Sequence, residues 1–153
     1  MISPRVTPLR VLLGALALGA LLTQVVIVPS TAAEYAEAYP EVAYLAVAYT
    51  TAIVIAIGGF EVALLAAWQL LSVAAAGEVL TYRSKRWANI LAASLSFMAV
   101  ILAVVCVHAG SFAAVGGPAM LFGLLASLAL VLFAFVLRNK AVDLLLRVDA
   151  RRR

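Results

Sequence analysis

Three polar residues stand apart in this chain because each is embedded in apolar sequence. Glu61 is the only formal charge between Val42 and Gly77. A carboxyl group among lipid chains is costly, so it is a candidate for function: it can carry a proton, hold a cation or pair with a base. If its helix begins near Val42, Glu61 lies ~28 Å along it, close to one headgroup layer. There Arg10 or a base of the central connector could neutralise it, and an anchoring role is the plainer expectation. His108, the only histidine, follows the apolar run Ile101 to Val107, where an imidazole could sense pH or bind metal. It has no histidine or cysteine companion at ligand spacing, which favours a structural residue at the interface and argues against a haem held by paired axial ligands. Gln24, with Thr50, Thr51, Ser94 and Ser96, could line a polar path, although Ser and Thr in membrane helices commonly bond their own backbone. A Ser/His/Asp set, a His-rich metal box, a phosphate loop and an acidic pair within a span are all absent, so neither an enzyme nor a cofactor is expected.

The elements that must position these residues are transmembrane helices. Of 153 residues, 67% are hydrophobic and only 12% charged. A soluble domain of this size could not bury so much apolar surface and would aggregate through exposed patches. The lone Cys106 allows neither an internal disulfide nor a Cys-x-x-Cys motif. Apolar stretches predict spans over residues 11–28, 43–66, 87–107 and 119–137, within the roughly 17 to 25 residues that cross hydrocarbon as a helix. The second apolar stretch continues to Gly77 and predicts an interfacial extension. Residues 30–41, with Pro29, Pro40 and three acids, read as a solvated loop holding a helical turn, and His108 to Pro118 reads as a glycine-rich loop. Residues 138–153 read as a basic tail that continues as a short amphipathic helix on Val142, Leu145 and Leu146. Tyr35, Tyr39, Tyr44 and Tyr49 cluster at the outer end of span two, whereas Trp68, Tyr82 and Trp87 surround the central connector. Interface belts are the expectation, and a ligand-binding surface built from the tyrosines is the alternative.

All eleven Lys and Arg fall before span one, between spans two and three, or after span four. The positive-inside rule then predicts four spans in the plasma membrane with both termini cytoplasmic. A cleaved signal peptide ending near Ser30-Thr31-Ala32 is the weaker reading, because its apolar run would be too long. Arg83, Lys85, Arg86, Arg147, Arg151, Arg152 and Arg153 make a basic cytoplasmic surface, with the tail expected on anionic headgroups rather than nucleic acid. Small residues recur at every fourth position: Ala48, Ala52 and Ala56; Ala88, Ala92 and Ser96; Ala15 with Gly19; Gly123 with Ser127. Such stripes let helix backbones approach in lipid. The predicted fold is an all-α, antiparallel four-helix transmembrane bundle forming a single domain.

The runs Gln24-Val25-Val26-Ile27-Val28-Pro29, Pro40-Glu41-Val42-Ala43-Tyr44-Leu45, Val62-Ala63-Leu64 with Trp68, and Gly77-Glu78-Val79-Leu80 carry a resemblance. The chain resembles the actinobacterial branch of a four-helix bacterial membrane family catalogued as domain of unknown function 2975, over roughly residues 8 to 140. Members often end in an acidic stretch of Leu-x-Glu-Leu character, whereas this chain ends in Arg151-Arg152-Arg153. The resemblance implies no reaction. Some relatives are encoded beside a small helix-turn-helix regulator, which implies a membrane partner for a transcription factor. The expected function is thus a non-enzymatic accessory or regulatory membrane subunit that binds a protein. The alternative is a small proton-coupled transporter of cationic compounds that uses Glu61.

Overall fold

The structure, a computed structural model, describes residues 7–75, 82–112 and 117–150. Every regular element among them is helical. The chain runs through α1 (Thr7–Leu22), a π-helical turn (Thr23–Ile27), α2 (Val28–Ala38), a 3-10 segment (Pro40–Leu45), α3 (Ala46–Ala75), α4 (Tyr82–Val107), a second π-helical turn (His108–Phe112) and α5 (Pro118–Ala150). Four stretches are long and apolar enough to cross a membrane: Thr7–Ala38, Pro40–Val73, Arg83–Ser111 and Pro118–Asp143. At 1.5 Å per residue they reach about 39 to 51 Å, so each outruns a hydrocarbon layer of about 30 Å.

Two expected loops are therefore largely helix. The solvated loop expected over residues 30–41 contracts to Tyr39, because Ala32, Ala33, Glu34, Ala36, Glu37 and Ala38 are strong helix formers and outweigh the Ser and Thr beside them. Pro29, which lacks an N–H and would clash with the preceding turn, follows the π-helical turn directly. Val28 N–H bonds back to Thr23 O, so the chain widens there without breaking. The loop expected from His108 likewise begins with a π-helical turn through Phe112. The amphipathic helix expected after residue 138 is no separate element, since α5 runs unbroken to Ala150.

The centre lies among α3, α4 and α5. Ala63, Leu95 and Ala134 are buried together, one from each helix, with Phe60, Leu91 and Leu137 against them. Along α3 the buried positions are Ala56, Gly59, Ala63, Leu64, Ala66 and Val73, and Ala56, Gly59, Ala63 and Ala66 step by three and four residues in the rhythm that keeps one seam facing a partner. A Cβ on Gly59 would stand 3.2 Å from Phe97 Cδ1 and 3.3 Å from Ser94 O, which marks the close approach of α3 to α4. On α5, a Cβ at Gly123 would meet Cys106 Sγ at 2.7 Å.

The every-fourth stripes describe this only in part. Ala56, Ala88 and Ser127 are buried, but Ala48, Ala15 and Gly19 are exposed. Four residues overshoot a full helical turn by about 40°, so such a stripe winds away from a straight seam within two steps. Helix α1 buries only Ala20 and touches α3 alone among the α-helices.

Candidate functional site

Glu61 sits mid-way along α3, about 18 Å from Tyr49 and about 16 Å from Ser72 at the helical rise. It faces α1 across an open groove of roughly 550 Å³, lined by Leu13, Gly14 and Ala17 on one side and Leu65, Trp68 and Gln69 on the other. Its Oε1 is buried and has no hydrogen-bond partner among the described residues. The expected partner Arg10 is engaged elsewhere. One guanidinium nitrogen donates to Ser72 Oγ at 3.2 Å, and the group lies over the Trp68 ring at 5.5 Å. A cation on an aromatic face is held by the ring quadrupole and needs no carboxylate. Arg10 Nε is itself buried and unpartnered, so the groove has an acceptor and a donor that do not meet each other.

Gln24 Nε2 donates to Val54 O at 3.1 Å and fastens the π-helical turn that follows α1 to α3. Thr51 and Ser94 bond carbonyls of their own helices, as side chains of this kind in lipid commonly do.

His108 Nδ1 and Tyr49 Oη are 2.8 Å apart, and the rings meet edge to face at 5.9 Å. The pair ties the start of α3 to the end of α4. Beside it lies an apolar cavity of about 230 Å³, lined by Tyr35, Tyr49, Thr50, Ile53, Ala109 and Met120 among others. Tyr35 stacks on Tyr39 with ring centroids 6.0 Å apart. Tyr35 and Tyr49 stand in the cavity wall, and Tyr35 is exposed, as are Tyr39 and Tyr44.

Arg83, Lys85 and Arg86 are exposed on the first turns of α4. Arg138 Nε donates to Asn89 Oδ1 at 2.8 Å, which brings a cation of α5 alongside them. The side chain of Arg147, and Arg151, Arg152 and Arg153, lie outside the described residues, as do Arg5 and the Gly77-Glu78-Val79-Leu80 run. Among the described residues no group of three His, Cys, Asp or Glu is placed to hold a metal ion.

Three contacts escape a linear reading: Arg10 with Trp68 and Ser72, Tyr49 with His108, and Asn89 with Arg138. Each joins residues about 50 to 60 positions apart, and the only hint in the sequence is a polar residue near the same end of two adjacent apolar stretches.

No curated protein and no solved structure matches the chain. The family model described as "Protein of unknown function (DUF2975)" matches residues 30–143. That segment holds Glu61, the Tyr49–His108 pair, the Asn89–Arg138 contact and all of α3 and α4, while all of α1 precedes it. With most of its length and its whole three-helix centre inside that match, the chain belongs to the DUF2975 family.

Proposed function

We propose that the chain is a non-enzymatic accessory or regulatory subunit of the plasma membrane that binds a protein partner through a cytoplasmic basic surface. The observation that carries the reading is the gathering of Arg83, Lys85 and Arg86 on the first turns of α4 with Arg138, from the interior of α5, brought beside them by the Asn89 contact. A rigid helical base with exposed cations fits an acidic protein face, which charge complementarity would steer and orient. The topology belongs to the proposal: antiparallel spans and both termini inside, supported by the one-sided distribution of Lys and Arg. A helix-turn-helix regulator is the partner class that the family resemblance implies.

The test is affinity isolation from mild detergent, comparing the native chain with Arg83→Glu/Lys85→Glu/Arg86→Glu. A stoichiometric protein retained by the first and lost from the second supports the reading. Equal retention, or none by either, removes it. Labelling of Arg83→Cys by an impermeant reagent from outside intact cells would overturn the orientation.

One observation favours a second reading. The unpartnered Oε1 of Glu61, central on α3 in an open groove, is placed to exchange a proton or a cation with the groove. Proton-coupled flux of a lipophilic cation in vesicles, lost in Glu61→Gln, would support transport. Flux unchanged by that substitution excludes a role for the carboxyl.

A further inference from the structure

The first turns of α4 present a problem of charge. Lys85 and Arg86 stand where the helix macrodipole is positive and disfavours cations, and no acid occupies the first turn to offset them. They are therefore not there to stabilise the helix. With Asn89 they form the polar end of an open pocket of roughly 460 Å³ whose remaining walls are Ile90 and Ala93. Asn89 accepts from Arg138 through Oδ1, which turns its amide NH₂ to the donor role. The polar end thus offers two cations and an amide donor.

The apolar end of this pocket does not stop at Ile90 and Ala93. The same two residues line a second, larger groove of roughly 610 Å³ between α3 and α4, together with Ile55, Gly58, Val62 and Phe97. A Cβ on Gly58 would meet nothing within 4 Å, so the groove floor is open at this point, although α3 and α4 touch closely one residue on, at Gly59. A cationic pocket on the first turns of α4 and an apolar groove between α3 and α4 therefore share a wall at Ile90 and Ala93.

We propose that this continuous surface is a binding site for an anionic phospholipid. The headgroup phosphate lies against Lys85, Arg86 and the Asn89 amide, and one acyl chain lies in the α3–α4 groove over Gly58. Basic pockets between membrane helices are suited to anionic headgroups, and the apolar groove adds contact along the chain that a free anion cannot use. The site goes beyond partner binding and does not require it. It requires only that the start of α4 stand at a headgroup layer.

The test uses the full chain purified in mild detergent, delipidated, and titrated with phosphatidylglycerol, phosphatidylcholine, diacylglycerol and inorganic phosphate, with bound lipid read by native mass spectrometry. Phosphatidylglycerol is expected to bind about tenfold or more tightly than phosphatidylcholine, with Lys85→Glu/Arg86→Glu abolishing that preference. Gly58→Leu fills the groove from an open position, so it is expected to weaken phosphatidylglycerol severalfold while leaving helical content and elution unchanged. Two outcomes overturn the proposal: equal binding of the two phospholipids, or a preference that survives both variants. If inorganic phosphate displaces phosphatidylglycerol at comparable concentration, the pocket is an anion site and the acyl groove is overturned. If Gly58→Leu misfolds, Val62→Trp from the same groove wall replaces it with the same expectation.

Discussion

Helix α3 meets α4 and α1 in two different ways. Toward α4 it presents Ala56, Gly59, Ala63 and Ala66, and the backbones close until a single added carbon at Gly59 would press on Ser94 O. Toward α1 it presents Glu61, Trp68 and Ser72; the Arg10–Ser72 bond and the Arg10–Trp68 contact join the two helices, and the Gln24–Val54 bond joins α3 to the π-helical turn that follows α1, with an open groove between. Lipid is as apolar as leucine, so hydrophobicity gives neither interface a net advantage. The α3–α4 contact gains from dense van der Waals approach that only small residues permit. The α1–α3 contact rests on a few polar bonds, and these hold helices together without closing the space between them. A close-packed core and an open flank can thus be built on different faces of one helix.

The largest effect should come from breaking the close face. Gly59→Leu forces a branched side chain against Phe97 and a backbone carbonyl that cannot rotate away, and should cost about 3 kcal/mol or prevent folding. Denaturant titration in detergent micelles is the measurement. A loss under about 0.5 kcal/mol would show that α3 and α4 are not pressed together as described.

A smaller and more discriminating effect is expected where α4 meets α5. Gly123→Ala should destabilise by about 1 to 3 kcal/mol, because its Cβ meets Cys106 Sγ at 2.7 Å. The added substitution Cys106→Ala removes that sulfur and should restore most of the loss. A double-mutant cycle reads this coupling directly, and additive losses would show that the sulfur is not the obstruction.

The polar face should respond differently. Arg10→Ala removes a cation–π contact and a hydrogen bond, and is expected to cost about 1 to 2 kcal/mol while freeing α1 more than the other helices. Hydrogen exchange should rise in α1 and stay unchanged in α4. Gln24→Leu should cost less, about 0.6 kcal/mol, since a transmembrane hydrogen bond of this kind contributes modestly.

The smallest effect sharpens the contrast. Gly14→Ala faces the groove and its Cβ would meet nothing within 4 Å, so stability should stay within about 0.5 kcal/mol or rise slightly from better helix propensity. A loss as large as that of Gly123→Ala would close the groove and remove the distinction between the two faces.

Much of this was legible in residue order. The four apolar stretches, their helical state and the family were readable because hydrocarbon leaves a spanning chain few options: every backbone polar group must be satisfied within its own segment. Boundaries were less legible. Residues 30–38 carry acids and hydroxyls and are flanked by Pro29 and Pro40, yet they continue the helix beyond a π-helical turn, because alanine and glutamate sustain it and the widened turn accommodates Pro29.

The sequence alone could single out Glu61, His108 and Gln24, because a polar side chain in an apolar run is visible without coordinates. It could not say what each one meets. Tertiary structure decided that Gln24 clasps a carbonyl of α3, that His108 meets Tyr49, and that Arg10 lies on Trp68 rather than beside Glu61. It also decided which alanines and glycines are interior. Ala15, Gly19 and Ala48 have the same composition and spacing as Ala56 and Ala88 but lie exposed. The physical reason is that a helix specifies the angular position of every side chain about its own axis, whereas the direction from which a neighbour arrives depends on all the helices at once.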